Sequence, residues 1–366
     1  MLSPSPRRST IITAASAASA AIADEGPVDL DRLCGWMDEI GLESGPITSV
    51  TQLAGGTQNI LLRFRRGPSE FILRRPPLHP RPQSNRIMAR EARLLGALAG
   101  TAVPHPALIA SCIDEDVLGA VFYLMAPVDG FNATVALSQP ARTSASVRHR
   151  MGIGIVDGLA ALAGVDHEAA GLADFGKLDG FLDRQVGRWA SELEGYSRFP
   201  LWDGHRALGD VGSIGAWLAA HCPASLRPGI IHGDYHIGNI IYREDGALAA
   251  IVDWEMATLG DPLVDLGRLL LSWPDGERAR PFHMRVERKD GFPTRDELIA
   301  HYQERTGRDL SDLPWFEILS CYKLGIILEG THARAQSGLA DSATGDRLHA
   351  SAMALLDRAR AIIARG

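Results

Sequence analysis

Apolar residues recur at helical spacing from Val28 to Ile40, where Leu30, Leu33, Met37 and Ile40 share one face; this predicts a short amphipathic helix. Strand-like material follows. Ile47 to Leu53 runs into Ala54-Gly55-Gly56-Thr57-Gln58-Asn59, and Ile60 to Arg65 then alternates apolar and basic residues, which predicts two strands joined across a glycine turn. Glu70 to Arg74 predicts a third strand, stopped by Pro76 and Pro77. A helix over Ile87 to Ala99 and a buried strand over Val121 to Met125 follow. Pro127 and Gly130 break the pattern as a hinge between lobes would. Beyond them the spacing turns helical over Thr143 to Ala163, Leu178 to Glu194 and Gly212 to Ala220. A strand–loop–strand segment, Gly229 to Asp253, interrupts this before helices resume at Asp261 to Ser272, Thr294 to Thr306, Trp315 to Ala335 and Asp346 to Ala364. No internal repeat is visible. The expectation is an α+β chain with a small strand-rich lobe at residues 28–126 and a larger helical lobe at 127–366.

The 366 residues exceed what one compact core usually holds and fall short of three domains. Hydrophobic residues make up 46% and charged residues 22%, which allows a sizeable core and excludes a disordered chain. The balance of 37 basic against 44 acidic residues gives no global field that would attract nucleic acid or an anionic membrane. Basic residues do cluster at Arg63, Arg65, Arg66, Arg74 and Arg75, where they could meet phosphates or line a solvated strand edge. Cys34, Cys112, Cys222 and Cys321 lie far apart without a CxxC pair, which argues against a disulfide framework or zinc ribbon and for a reducing, cytoplasmic setting. No run reaches the roughly 18 apolar residues of a membrane span. Residues 1–27 carry Arg7 and Arg8 before an Ala/Ser-rich stretch; they read as a disordered tail, with a targeting segment as the alternative.

The densest chemistry lies in Ile230-Ile231-His232-Gly233-Asp234-Tyr235-His236-Ile237-Gly238-Asn239-Ile240-Ile241-Tyr242, followed by Ile251-Val252-Asp253-Trp254-Glu255. Apolar strand residues bracket a polar loop that carries Asp234 and Asn239, and a second strand delivers Asp253. Phosphoryl transfer asks for this set: hard oxygen ligands for a divalent cation, and a carboxylate that orients the acceptor hydroxyl. Asp234 suits the orienting or base role; Asn239 and Asp253 suit Mg2+. The spacing of Asp234 and Asn239 matches the HxD-x4-N loop of kinases.

HGDYHIGN, IVDWE and TLGDPLVDLG together closely resemble the aminoglycoside-phosphotransferase-like kinases. AGGTQN, FILRRPP, REARLLGAL, TAVPHP, FYLMAPVDG, FLDRQVGRWASELE and GTHARAQSG extend the likeness in order from about Val50 to Gly338, especially to the branch allied to kinase domains fused to acyl-CoA dehydrogenases. The resemblance implies a bilobal protein-kinase-like fold, with a small antiparallel-sheet N-lobe and a helical C-lobe, that transfers the γ-phosphoryl group of ATP to a hydroxyl of a small molecule. It implies Asp234 as catalytic base or orienting carboxylate, and Asn239 and Asp253 as metal ligands. Gly55, Gly56 and Thr57 would form the turn over the triphosphate, Arg74 would contact phosphate while paired with Glu91, and the stretch from Met125 to Val128 would line the adenine pocket. Two departures stand out: Arg74 occupies the position expected to hold Lys, and the glycine turn is poorer in glycine than GxGxxG. The acceptor expected is a metabolite such as a hydroxyacyl compound rather than an aminoglycoside, and the protein a monomer or homodimer.

Competing readings remain at several positions. His232, Asp234 and His236 could form the metal centre of a hydrolase, although Gly233 and Gly238 make the segment a loop rather than a ladder. A pseudokinase-like nucleotide-binding module is the other alternative; the joint presence of Asp234, Asn239 and Asp253 argues against it. Asp261 reads as a helix cap and Asp265 as a support for the catalytic loop. Glu255 is a third metal contact or a solvated acid. Arg184, Gln185 and Arg188 recognise an anionic acceptor or form a solvated face with Glu192 as partner to Arg188. Glu329, His332 and Arg334 are candidates for the acceptor cleft.

Overall fold

A computed structural model describes residues 26–53, 59–203, 205–274 and 285–365. In chain order the described elements are α1 (Leu30–Glu39), β1 (Ile47–Gln52), β2 (Ile60–Arg66), β3 (Ser69–Arg75), α2 (Ser84–Leu98), β4 (Leu108–Cys112), α3 (Glu115–Leu118), β5 (Phe122–Met125) and α4 (Gln139–Thr143). They continue with α5 (Ala145–Ala163), α6 (Phe181–Gly195), α7 (His205–Leu208), α8 (Val211–Ala220), β6 (Gly229–Ile231), β7 (Ile240–Tyr242), β8 (Leu248–Ile251) and β9 (Thr258–Gly260). Four helices close the chain: α9 (Leu263–Leu271), α10 (Arg295–Thr306), α11 (Leu313–Gln336) and α12 (Ser342–Ile363). No described helix is long and apolar enough to cross a membrane. The fold is α+β, as the hydrophobic pattern predicts.

Contacts divide the chain into two units. The first comprises residues 1–141 with 240–255, and the second residues 142–239 with 256–366. This division differs from a single cut after residue 126. The β7–β8 hairpin joins the first unit because Phe131 and Tyr242 bridge, the Ile251 amide donates to the Pro104 carbonyl at 2.9 Å, and Asn132 Nδ2 donates to the Ile240 carbonyl at 3.3 Å. Gly130, read from sequence as part of a hinge, serves a close approach: a Cβ there would lie 2.3 Å from the Tyr242 carbonyl oxygen.

The first unit is built on a five-stranded antiparallel sheet in the order β1-β2-β3-β5-β4. Strand alternation sends Leu62, Phe64, Phe71, Leu73, Phe122 and Leu124 to one face, where they pack with Leu33, Trp36 and Met37 of α1. The opposite parity of β3 carries Arg74, which meets α2. Because β3 is paired on both sides, Phe71 to Arg75 are all buried, and Arg74 keeps only 8% of its surface exposed. Glu91 lies on the same stripe of α2 as Met88, Leu95 and Leu98, so helical periodicity drives a carboxylate into the core.

The second unit is largely helical. Its two-stranded ladder pairs Gly229 with Gly260 and Ile231 with Thr258, bringing the strand before His232 beside the strand that leads into α9. Helix α9 is buried along its whole length. Helices α11 and α12 run antiparallel: Ala335 lies opposite Gly345, Glu329 opposite His349 and Gly325 opposite Leu356. Helix α12 begins four residues earlier than its apolar spacing suggests, because Asp341 caps it by accepting from the Thr344 amide at 2.8 Å.

Candidate active site

In the first unit one guanidinium gathers the polar groups. Arg74 Nε donates to Glu91 Oε2 at 3.1 Å and its Nη2 to Asp253 Oδ1 at 3.0 Å, with Glu255 Oε2 at 3.9 Å. Glu91 uses its second oxygen to accept the Trp254 amide at 3.2 Å, tying α2 to the segment that follows β8. Asp253 itself sits at φ 69°, a left-handed backbone that Asp tolerates better than most side chains. Burial pushes Glu91 up to about 7 against the pull of Arg74, and the neighbouring Asp253 and Glu255 push the same way. Three carboxylates around one cation leave an excess of negative charge and hard oxygen, which fits a magnesium ion. Glu255 is thus drawn into the cluster, where Asn59 Nδ2 also reaches it at 3.4 Å.

The other arginines of the basic cluster have different work. Arg63 forms a two-bond pair with Glu70 at 2.7 Å, Arg66 binds the Gly45 and Leu42 carbonyls and Asp38, and Arg75 binds the Pro76 and Leu118 carbonyls. Met125 ends β5, paired with both Ile72 and Leu108. The Ala126 amide is taken by the Ala107 carbonyl at 2.9 Å. Gly55, Gly56 and Thr57 lie outside the described residues.

In the second unit the loop after β6 is held from below by α9. Asp265, fully buried, accepts the His232 amide through Oδ2 at 2.6 Å and the Gly233 amide through Oδ1 at 2.9 Å. Asp261 caps the same helix by accepting the Leu263 amide at 2.9 Å, and Arg308 pairs with it at 2.7 Å. Gly233 adopts φ +85°, and a Cβ there would lie 2.6 Å from the Met256 carbonyl oxygen, so both conformation and space demand glycine. Asn239 donates through Nδ2 to the Asp234 carbonyl at 3.0 Å, which leaves Oδ1 as the oxygen available to a cation.

Asp234 is 37% exposed at its side chain and grips two partners: Arg268 Nε at 2.8 Å and His236 Nε2 at 3.2 Å. Burial alone would raise its affinity for a proton, but the His236 hydrogen bond and the Arg268 charge outweigh that and hold the carboxyl far below the usual carboxylate range. The hydrolase reading of this loop fails on its hydrogen bonds. His232 Nδ1 accepts from the Asp234 amide at 3.3 Å and His236 Nδ1 accepts from the Gly238 amide at 3.0 Å, so both lone pairs serve the loop.

Two residues that sequence reasoning missed act on this loop. Arg268 stands one turn after Asp265 on α9, so the same helical face that supports the loop also reaches Asp234; that i,i+3 spacing was a readable signal. Lys323, on α11, donates through Nζ to the Gly233 carbonyl at 2.8 Å, and no local pattern announces it. Burial pushes Lys323 down to about 8 against the attraction of Asp234 and Asp265. By contrast Glu329 and His332, expected at the acceptor cleft, are buried against α12.

An open cleft of about 510 Å³ in the second unit is lined by Lys177, Phe181, Arg184, Gln185, Arg188 and Thr258, among others. Arg188 does not pair with Glu192 among the described residues; its guanidinium lies over the Trp189 ring, 4.9 Å from the centroid. Lys323 Nζ lies 5.5 Å from the same ring.

The kinase-type loop, its helical support and the antiparallel sheet define a protein-kinase-like phosphotransferase fold. The chain belongs to the phosphotransferase enzyme family, whose model matches residues 49–300. Among curated proteins it is 29% identical over 308 residues to acyl-CoA dehydrogenase family member 11 of Rattus norvegicus, covering 81% of this chain and 38% of that protein. It is 27% identical to acyl-CoA dehydrogenase family member 10 of Mus musculus, covering 83% and 28%. The chain thus spans only about a third of the length of these relatives. Among solved structures, a putative aminoglycoside phosphotransferase from Ralstonia eutropha superposes with a TM-score of 0.76 at 27% identity, covering 91% of this chain and 99% of that one. The GDP and kanamycin complex of APH(2")-IIia, at 19% identity and a TM-score of 0.61, covers 91% and 99% and shares the fold.

Proposed function

We propose that the protein transfers the γ-phosphoryl group of ATP, with Mg2+, to a hydroxyl of an anionic small metabolite. The observation that carries this reading is the loop in which Asp234 is held ionised by Arg268 and His236 while Asn239 offers a free amide oxygen. Asn239 and Asp253 would supply oxygen donors to Mg2+, which when bound neutralises charge on the phosphates. Arg74, anchored by Glu91, would exchange its contact with Asp253 for a phosphate oxygen. The backbone groups of Val128, which make no hydrogen bond within the described chain, would meet the base edge alongside Met125.

A carboxylate held this far below its ordinary range is a weak base that stays ionised, and so keeps its oxygens as hydrogen-bond acceptors. Asp234 therefore orients the acceptor hydroxyl. The new bond forms from that oxygen to the γ-phosphorus as the bond to the β,γ-bridging oxygen breaks and ADP leaves, and the hydroxyl proton passes to Asp234 late in the transfer. Gly55, Gly56 and Thr57 would cover the triphosphate.

The acceptor's charge is read from the cleft. Lys177, Arg184 and Arg188 favour an anion and repel a polycation, which speaks for a metabolite and against an aminoglycoside such as the kanamycin of the structural relative. The names of the sequence relatives point to acyl chemistry, so a hydroxyacyl compound is the first candidate. A panel of hydroxylated metabolites and antibiotics, scored by ATP-dependent ADP release with Asp234→Asn as blank, tests the reading. Turnover of aminoglycosides alone, or of nothing on a broad panel, would reject it.

A further inference from the structure

Away from the catalytic loop, α11 and α12 each present a carboxylate and an imidazole one turn apart. Glu329 and His332 stand on α11, and Asp346 and His349 on α12. Because the helices run antiparallel and Gly345 lets them close, the two pairs meet. Ligand atoms of Glu329, His332 and His349 lie within 4.8 Å of one another. A Cβ at Gly345 would come within 2.4 Å of the Ala335 Cβ, which shows how near the backbones are. The His332 and His349 rings stack with centroids 4.3 Å apart.

The hydrogen bonds of the cluster are incomplete in an informative way. Glu329, wholly buried, accepts from Trp202 Nε1 at 2.7 Å and contacts His349 Nδ1 at 2.6 Å. His332 is 6% exposed, yet its Nδ1 has no hydrogen-bond partner, and Asp346 Oδ1 stands 3.7 Å away, too far for one. The other ring nitrogen of His332 faces the Gln336 side-chain amide at 2.9 Å, and Gln336 Oε1 is itself without a partner. If the amide is turned over, His332 donates Nε2–H to Gln336 Oε1, and the Nδ1 lone pair is left unused beside Asp346 and Glu329. Leaving that nitrogen buried and unpaired is costly. A cation bound there removes the cost.

We propose that Glu329, His332, Asp346 and His349 bind a zinc-type divalent transition ion that clamps α11 to α12. Two imidazoles and two carboxylates are the donor set of a four-coordinate site for such an ion, and the nitrogen donors disfavour magnesium. Binding displaces the proton between Glu329 and His349 Nδ1, and the His349 ring then carries its proton on Nε2. Gln336 and Trp202 would orient His332 and Glu329 from outside the site.

The test uses the full chain, stripped with chelator and held in excess Mg2+. Zn2+ is titrated by calorimetry, Co2+ by its ligand-field absorption, and thermal unfolding is followed with and without Zn2+. Expected are one tight ion per chain, an intense four-coordinate Co2+ spectrum and a raised Tm. His332→Gln should weaken binding by at least about a hundredfold, and the exposed Asp346→Asn by about tenfold. Absence of stoichiometric Zn2+ binding by the folded wild type overturns the proposal, as does wild-type affinity in His332→Gln. Should that variant fail to fold, unchanged affinity in Asp346→Asn overturns it equally.

Discussion

Arg268 reaches out of the buried helix α9 to place its Nε 2.8 Å from Oδ1 of Asp234. The same guanidinium is braced by Ser272 Oγ at 2.9 Å, so its position is set by its own helix and not by the ligand. Replacing it with the apolar Arg268→Met should raise the affinity of Asp234 for a proton. The acid limb of the kcat–pH profile is expected to move upward and kcat to fall by about tenfold or more, while nucleotide affinity stays within about twofold. An unmoved acid limb would show that Arg268 does not set the state of Asp234.

Asp234→Asn removes both the charge and the proton acceptor while keeping the shape. Turnover should fall on the order of a thousandfold with nucleotide binding retained. Near wild-type turnover by the purified variant would remove Asp234 from the mechanism.

Glu91→Ala takes away the deepest partner of Arg74 and the acceptor of the Trp254 amide together. Stability should drop by about 3 kcal/mol, with Asp253 still partnering the guanidinium. Arg74→Lys keeps the charge but cannot make both of the guanidinium's bonds, so the KM for ATP should rise about tenfold at a smaller cost in stability. Chemical denaturation and steady-state kinetics separate the two effects.

Arg188 lies over Trp189 and lines the basic cleft. Arg188→Glu should raise the acceptor KM by at least about tenfold and leave the KM for ATP unchanged. A parallel rise in both constants would place the acceptor elsewhere.

Lys323 supplies a pH signature. Its folded value near 8 lies below its unfolded value of 10.5, so between those values the unfolded chain binds more protons and stability rises with pH. Below about 8 the cost of the buried ammonium is present in full. Wild-type stability relative to Lys323→Met should therefore climb from about pH 8 to about 10.5 and then level off, measured by urea unfolding across that range. A flat difference would mean that the ammonium is not desolvated.

Much of the site could be read along the chain because its parts are local. Asp234 and Asn239 share one loop, and Asp261 and Asp265 open one helix, so the cap is legible locally, whereas the support Asp265 gives to the loop spans more than thirty positions. The pair between Arg74 and Glu91 is implied by the family resemblance and not by spacing, and the two side chains do meet. The role of the basic cluster stays open along the chain: Arg63, Arg66 and Arg75 have partners on elements that only the folded sheet brings near. The zinc-like pattern of His232 and His236 is already disfavoured by the flanking glycines, and amides of their own loop consume the lone pairs.

By itself the sequence determined most of the longer elements, though not β4, β9 or the short α3, α4 and α7, and singled out the candidate loop, since periodicity and short-range hydrogen bonding act over a few residues. Tertiary structure decided the rest: that Lys323 would reach Gly233 across 90 positions, that Glu329 and His332 would turn to α12, and that residues 240–255 would join the first unit. Those outcomes depend on which surfaces meet in the packed core, and no short window of the chain contains both partners.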